Sequence, residues 1–178
     1  MPINRSLFVE EKKLRVFDFD DSLVKTTSFI YVTNSKTGRK LKLTPGEYAV
    51  YKEKPGDEFD YSDFEEVKNP VLLKGYFELL KRMVNSGGDR GVFILTARSA
   101  YKPVYNFIKD SGIRGVYVVA LGDNNPEKKA DWIEQQVKDN GYDDVFFIDD
   151  SKKNVDAVRN RLMKYPNVKK KIQHIKHG

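Results

Sequence analysis

The chain has 178 residues, of which 39% are hydrophobic, including 11 Phe and 10 Tyr, enough for one domain with a real core. The absence of cysteine excludes disulfides and thiolate metal sites, and no apolar run approaches the roughly 20 residues that a membrane span needs. The net charge of +6 favours anionic partners such as phosphorylated metabolites or nucleic acid, although a generic basic surface explains the charge equally well.

The N-terminal segment, residues 1–9, has no long apolar run, so a secretory signal is not expected. Together with the missing cysteines, this favours a cytoplasmic protein without membrane association. The oligomeric state stays open.

Short apolar runs alternate with amphipathic helical patterns along the chain, which is typical of a parallel α/β sheet in one domain over residues 1–178. Residues 169–177 are either a last edge strand or a basic tail. The other predicted elements are a strand over 14–19, a helix over 72–83 closed by Gly87 and Gly88, a strand over 91–95, a helix over 101–108 stopped by Gly112, a strand over 116–121, a helix opened by Asn125 and Pro126 and ending near Gly141, a strand over 145–148, and a helix capped by Ser151.

Residues 24–69 interrupt this alternation. Two β-type runs, 29–33 and 40–43, flank a turn at Lys36-Thr37-Gly38, which predicts a hairpin. The segment is too long for a plain connection in a compact domain, so we expect a small β-rich flap or cap.

Three of the predicted strands end in polar residues: Asp18-Phe19-Asp20, Thr96-Ala97-Arg98 and Asp149-Asp150. Parallel strands bring their carboxyl ends to one edge of the sheet, where ligands of open α/β sheets bind. We therefore expect the three clusters to form one site.

The paired acids predict a cation site. Two ionised carboxylates repel each other unless a cation neutralises them or one is protonated, and Mg²⁺ takes one or two carboxylates together with phosphate oxygens. Asp18 and Asp20 suit an aspartyl nucleophile and a proton donor, with a solvated acidic loop as the alternative. Asp149 and Asp150 repeat the pattern, and a helix N-terminus would explain only Asp150. Asn154, one helical turn further on, can orient these acids.

The remaining polar residues suit a phosphate group. Thr96 offers a hydroxyl and a nearby backbone N–H, and Arg98 offers paired donors, with helix capping as the default alternative. Lys128 or Lys129, at the start of the helix that precedes the last acidic strand, could neutralise a phosphate and the acid pair. At least one of these two lysines is expected to be merely solvated.

These clusters, in this order, resemble the motifs of the haloacid dehalogenase (HAD) superfamily, over the whole chain apart from residues 24–69 and the tail. Two segments of the predicted flap, 43–48 (LTPGEY) and 59–62 (FDYS), also resemble HAD-like proteins of tailed bacteriophages. Asp149 stands where the superfamily commonly has Gly, so the first metal ligand is either Asp149 or Asp150. The matches are 16–22 (VFDFDDS) to the first motif, Asp-x-Asp-x-Thr/Ser; 94–96 (ILT) to the second; Lys129, with Lys128 as the alternative, to the third; and 148–154 (IDDSKKN) to the fourth.

The resemblance implies a Rossmann-like, HAD-type parallel sheet with a small cap, and Mg²⁺-dependent hydrolysis of a phosphomonoester through an aspartyl-phosphate. The resemblance favours a phosphatase, because the dehalogenase and phosphonatase branches lack an acid at the position of Asp20. Mg²⁺ would contact Asp20 through the backbone carbonyl, and Asp149 directly or through water. The residues implied are, for catalysis, Asp18 as nucleophile, Asp20 as general acid/base, Thr96 and Lys129; for the phosphoryl group, Thr96, Ala97, Arg98 and Lys129; and for Mg²⁺, Asp18, Asp20, Asp149 and Asp150.

The substrate is either a phosphorylated metabolite or nucleotide, or the phosphorylated end of a nucleic acid. Aromatic residues of a small insert more often form its own core than stack on bases. A non-catalytic phosphate-binding module is a further alternative, against which the intact acids argue, and so is phosphotransfer to an acceptor other than water. The residues that favour nucleic acid are the basic Lys36, Arg39, Lys40, Lys42, Lys169, Lys170 and Lys171, and the aromatic Tyr31, Tyr48 and Tyr51.

Overall fold

The protein is described by a computed structural model that covers residues 11–86, 88 and 90–177. Residues 1–9, where no secretory signal is expected, and Gly87, expected to close a helix, lie outside these residues. In chain order the elements are β1 (Lys13–Phe17), β2 (Val24–Lys25), β3 (Ile30–Asn34), β4 (Lys40–Leu43), α1 (Pro45–Ala49), β5 (Asp57–Asp60), a 3₁₀ turn (Ser62–Glu65), β6 (Val71–Leu72), α2 (Lys74–Asn85), β7 (Arg90–Thr96), α3 (Lys102–Asp110), β8 (Tyr117–Ala120), α4 (Pro126–Asn140), β9 (Asp144–Asp149), α5 (Lys152–Leu162) and β10 (Lys169–His174).

The main sheet is parallel and has five strands in the order β10-β9-β1-β7-β8. Phe17, the last residue of β1, lies opposite Ile94 of β7 on one side and Ile148 of β9 on the other. Strands β7 and β8 follow on one side of β1, and the chain then returns to add β9 and β10 on the other. The strand order therefore reverses between β1 and β9, and in open α/β sheets ligands bind at the carboxyl ends of the strands beside such a reversal.

Helices cover both faces of the main sheet. One core cluster joins Phe17 of β1 to Phe77 of α2 and Ile108 of α3. The cluster on the opposite face joins β1 to α4 and α5 through Leu14, Val16, Ala130, Ile133, Val137, Val155, Val158 and Leu162. The predicted α/β class with a helix-flanked parallel sheet is confirmed, and the arrangement is compatible with a Rossmann-like fold. No helix in the described part of the chain is long and apolar enough to cross a membrane.

The helix starts predicted from capping residues are confirmed. The Asn125 side chain accepts a hydrogen bond from the backbone N–H of Glu127 at the start of α4. Gly141 ends α4 in the left-handed conformation, with a φ of 70°. Ser151 caps α5 by accepting from the backbone N–H of Asn154.

The C-terminal segment forms an edge strand, which decides between the two predicted alternatives. β10 pairs in parallel with β9. The following residue, Ile175, donates its backbone N–H to the Asp149 carbonyl over 2.9 Å. The Ile175 side chain is 2% exposed and belongs to the core cluster of α2 and α3.

Residues 24–72, called the β2–β6 segment below, contain a second β structure. β2 and β6 pair with each other in antiparallel fashion at the base of the segment, and β4, β3 and β5 form an antiparallel sheet in that order. The predicted hairpin is confirmed as β3 and β4, with Gly38 in its turn at a φ of 73°. The segment has its own core of Ile30, Val32 and Leu43, covered by Leu41, Tyr48, Tyr51, Phe59 and Phe64.

The tyrosines considered for base stacking are engaged within the β2–β6 segment. The rings of Tyr48 and Tyr51 pack edge-on against Phe59, with centroids 5.6 and 6.2 Å apart. The Tyr31 hydroxyl donates to Asp63 Oδ2 over 3.0 Å. Internal packing and hydrogen bonding therefore account for all three side chains.

Candidate functional site

Two acids meet where the strand order of the main sheet reverses. Asp149 ends β9, and Asp18 follows β1 and donates its backbone N–H to the Ile148 carbonyl over 3.0 Å. Asp18, Asp149 and Asp150 each offer a carboxylate oxygen, and these oxygens lie within 4.8 Å of one another. Asp18 is 7% exposed and Asp149 is 1% exposed. Two of the three acids are therefore withdrawn from solvent.

Lys129, in the first turn of α4, bridges two of these acids. Its Nζ donates to Asp18 Oδ1 over 2.7 Å and to Asp149 Oδ2 over 2.9 Å. Burial alone lowers the pKa of Lys129, but the attraction of Asp149 and Asp18 outweighs burial and raises that pKa above its usual range. Lys128 is exposed. Of the two lysines considered, Lys129 is the one that the structure places in the acid cluster.

The acid cluster carries more negative charge than its lysine can balance. Three carboxylates face one ammonium, so two negative charges remain when all are ionised. Burial, aided by Asp149, raises the pKa of Asp18 to about 6, and burial, aided by Asp18, raises the pKa of Asp150 to about 10. A divalent cation would remove this cost, and a donor set of oxygens alone fits a hard cation of the Mg²⁺ or Ca²⁺ type.

Ser22 and Asn154 fix the orientation of the acids. The Ser22 hydroxyl donates to Asp18 Oδ2 over 2.7 Å and accepts the backbone N–H of Asp150 over 3.2 Å. Asn154 Nδ2 donates to Asp149 Oδ2 over 2.9 Å, as expected from its position one helical turn beyond Asp150. Ser22 was not predicted as a site residue, although its place at the end of the first motif was an available signal.

Asp20 belongs to a second group, centred on Arg98. Arg98 donates Nε to Asp20 Oδ2 and Nη2 to Asp20 Oδ1, each over 2.8 Å. Its Nη1 donates to the carbonyls of Phe64 and Glu66, over 3.1 and 3.0 Å. The donors expected to hold a phosphate are therefore engaged with Asp20 and the β2–β6 segment. The Asp20 carboxylate is not among the three that could share a cation.

Thr96 and Ala97 connect this second group to β7. Thr96 is 1% exposed, and its Oγ1 accepts the backbone N–H of Arg98 over 3.2 Å. Ala97 is half-buried between these residues. The structure thus divides the predicted site residues into an acid cluster of Asp18, Lys129, Asp149 and Asp150 and a neighbouring group of Asp20, Thr96, Ala97 and Arg98.

The end of the chain contacts the backbone beside the acid cluster. His174 Nε2 lies 2.9 Å from the Asp150 carbonyl oxygen, and His177 Nε2 lies 2.6 Å from the Asp21 carbonyl oxygen. Asp21 has a φ of 62°, in the left-handed region that Asp tolerates better than most residues. No sequence pattern predicted these contacts, because they depend on the placement of β10.

Comparisons of the chain with protein-family models, with curated proteins and with solved structures gave no match. The resemblance to the HAD superfamily therefore remains a prediction based on the four motifs.

Proposed function

We propose that the chain is a Mg²⁺-dependent phosphomonoester hydrolase of the HAD type, which acts on a phosphorylated metabolite or nucleotide through an aspartyl-phosphate on Asp18. The observation that supports this most is the group of Asp18, Asp149 and Asp150, two of them buried, with Lys129 bonded to both buried acids. An ion pair that only stabilised the fold would need one acid for Lys129. The two surplus carboxylates are costly without a cation. A cytoplasmic location belongs to the same proposal.

In the first step, an Asp18 carboxylate oxygen attacks phosphorus while the bond from phosphorus to the leaving oxygen breaks. Asp20, released from Arg98 and protonated from solvent, gives its proton to that leaving oxygen. Lys129 and Thr96 hold the oxygens of the transferring phosphoryl group. A bound Mg²⁺ supplies charge neutralisation for the acids and the phosphoryl oxygens, with Asp18, Asp149, Asp150 and the Asp20 carbonyl as the residues that would hold it.

In the second step, Asp20, now a carboxylate, takes a proton from water as the water oxygen attacks phosphorus. The bond between phosphorus and Asp18 breaks, which releases inorganic phosphate and restores both acids to their starting forms. Asp20 therefore serves as acid and then as base, and the protons balance over the cycle.

Arg98 links this chemistry to the β2–β6 segment. Both carboxylate oxygens of Asp20 are bonded to Arg98, which also holds the carbonyls of Phe64 and Glu66. For Asp20 to reach a leaving oxygen, at least one of its bonds to Arg98 must break. We therefore assign this arrangement to a resting state, and the β2–β6 segment to a cap whose movement accompanies the release of Asp20.

Phosphorylated nucleic-acid ends are the second candidate substrate, which the charge of the β3–β4 hairpin favours. β4 is an edge strand of its sheet and carries exposed Lys40, and the turn before it carries exposed Lys36 and Arg39. None of these three side chains forms an ion pair with the described residues. Activity on phosphorylated oligonucleotides that exceeds activity on mononucleotides and falls steeply with salt would select this candidate.

The function is tested with an aryl phosphate, in Mg²⁺ and in EDTA. We expect turnover that requires Mg²⁺ and falls roughly 10³-fold or more in Asp18→Asn, because the nucleophile is lost. Asp139→Asn is the matched control, since Asp139 is exposed on α4, and should retain the wild-type rate. Equal rates for wild type and Asp18→Asn, or no change on adding EDTA, would contradict the proposal. Binding of phosphate without turnover would indicate the non-catalytic module instead.

A further inference from the structure

The β8 edge of the main sheet differs from the opposite edge. Within the described residues, β8 pairs with β7 alone. An edge strand leaves every second backbone N–H and C=O without a partner, and natural edges are commonly protected by lysine or proline. At the other edge β10 begins with Lys169, Lys170 and Lys171, whereas β8 has the uncharged sequence Tyr-Val-Val-Ala. The β8 edge therefore lacks the usual protection against pairing.

The sequence around β8 complements itself. Arg114 and Asp123 stand at equal distances from the midpoint between Val118 and Val119. If two copies of the strand pair in antiparallel fashion about that midpoint, Val118 faces Val119, and Arg114 of each copy comes beside Asp123 of the other. Arg114 is exposed and forms no ion pair with the described residues. A glycine with positive φ lies between each charged residue and β8: Gly115, with a φ of 87°, follows Arg114, and Gly122, with a φ of 66°, precedes Asp123.

Exposed tyrosines lie along the same edge. Phe107 of α3 contacts Phe77 of α2, with ring centroids 6.4 Å apart, so this side of α3 faces the centre of the sheet. At 100° per residue, Tyr101 and Tyr105 lie on the opposite flank of α3, away from α2, and α3 packs beside β8. Tyr101 is 49% exposed, Tyr105 is 44% exposed, and Tyr117 of β8 is 65% exposed. Tyrosine is enriched at protein interfaces.

We propose that the β8 edge is a homodimer interface, in which the β8 strands of two copies pair in antiparallel fashion across a twofold axis. Each sheet then continues into that of the partner, and both copies contribute the same patch of surface to the interface. A four-residue edge alone is too short to bury the roughly 800 Å² per partner of a stable interface. The tyrosines of α3 supply further area. The self-complementary charges identify a second copy of this chain as the occupant.

The test measures the mass of the full chain by sedimentation equilibrium. The wild type should have twice the chain mass of 20.6 kDa. Arg114→Asp places two acids together at both ends of the interface, and Asp123→Arg places two bases together, so each variant should weaken self-association about tenfold or more. An equimolar mixture should restore the dimer, because each mixed pair again joins opposite charges. Lys171→Asp, at the β10 edge, is the control and should remain dimeric.

Three results would overturn the proposal: a monomeric wild type at every concentration used, unchanged dimers in both charge variants, or a mixture that stays monomeric. Asp123 Oδ1 also accepts the backbone N–H of Asn125 over 2.8 Å, so the far-ultraviolet circular dichroism of Asp123→Arg is compared with that of the wild type. Tyr117→Lys, in β8 itself, should also yield monomers; because the Tyr117 ring lies 5.4 Å from that of Phe93, this variant is checked by circular dichroism in the same way. These masses do not depend on the phosphatase assay, so the two proposals can fail separately.

Discussion

Arg98 and Asp20 form a bidentate ion pair, in which Nε and Nη2 of the guanidinium each lie 2.8 Å from a different carboxylate oxygen. The Arg98 side chain is 2% exposed and that of Asp20 is 16% exposed. The pair is therefore shielded from water. A planar guanidinium makes its strongest hydrogen bonds to a carboxylate in such a shielded place. Because Nη1 also reaches the carbonyls of Phe64 and Glu66, the pair fastens the β2–β6 segment to the end of β1.

Replacing Arg98 should loosen this attachment. A lysine ammonium cannot form the paired bonds to Asp20 and also reach both carbonyls, so we expect Arg98→Lys to lower the free energy of unfolding by about 2–3 kcal/mol. Urea denaturation measures the change. Arg39→Lys, at an exposed position in the β3–β4 turn, should stay within about 0.5 kcal/mol of wild type. The same urea midpoint for both variants would show that the bonds of Arg98 add little stability.

Replacing Lys129 and replacing the neighbouring Lys128, both at the start of α4, should have different effects on stability and activity. Lys129→Met removes the ammonium from between Asp18 and Asp149 and leaves their carboxylates buried without it. We expect a loss of about 3 kcal/mol of stability at neutral pH and at least a hundredfold fall in the rate of the proposed phosphatase reaction. Lys128→Met changes an exposed side chain and should leave both quantities unaltered. A comparable loss in Lys128→Met would contradict the assignment of Lys129.

Mg²⁺ should stabilise the folded protein through the acid cluster. Ligand binding to the folded state adds about 2.7 kcal/mol when the free ligand is a hundredfold above its Kd, which raises the melting temperature. Asp150→Asn removes one of the three carboxylates that could share the ion and should reduce this rise. Asp139→Asn should keep it. Differential scanning calorimetry with EDTA as the baseline makes the comparison, and an equal response in all three proteins would exclude Asp150 as a ligand.

Without a cation, stability should fall as the pH rises. Burial and the nearby Asp18 raise the pKa of Asp150 to about 10 in the folded protein, from 3.8 as its ordinary value. Between these values the folded state binds more protons than the unfolded state, so the free energy of unfolding decreases with increasing pH. In EDTA we expect the melting temperature to drop between about pH 6.5 and about pH 9, and Asp150→Asn to flatten the drop. Mg²⁺ must displace the proton, so its stabilising effect should grow over the same range.

Ile175, just after β10, should contribute more to stability than Ile172 within that strand. Ile175 is 2% exposed in the core formed with α2 and α3, whereas Ile172 is only partly buried. We expect Ile175→Ala to cost about 2–4 kcal/mol and Ile172→Ala clearly less. Denaturation in urea compares the two, and the reverse order would mean that the segment after β10 is loosely attached.

Much of the fold could be predicted because its signals are local. Asn125 and Ser151 cap their helices through backbone groups within three residues, and Gly38 and Gly141 adopt the positive φ that their turns require. The choice between Lys128 and Lys129 also had a local signal. Lys129 is four residues before Ile133 and so lies on the buried side of α4.

The partners within the site could not be predicted, since they depend on contacts between distant parts of the chain. Arg98 was expected to hold a phosphate, but 78 residues separate it from Asp20, and its other partners lie in the β2–β6 segment. Nothing in the motif Thr-Ala-Arg encodes those contacts. Similarly, Ser22 joins Asp18 to Asp150 only because β1 and β9 are neighbours in the sheet.

The position of β1 between β7 and β9 also affects the order in which the sheet can form during translation. The ribosome makes β1 early, but β9, its partner on one side, comes after β7 and β8. Before β9 has left the ribosome, β1 can pair with β7 while the other side of β1 has no partner strand. Pairing between strands so far apart in the chain is slow to complete. Asp18 therefore has neither Lys129 nor Asp149 beside it until α4 and β9 have emerged. The acid cluster that could hold a cation is consequently complete only after α4 and β9 have been made.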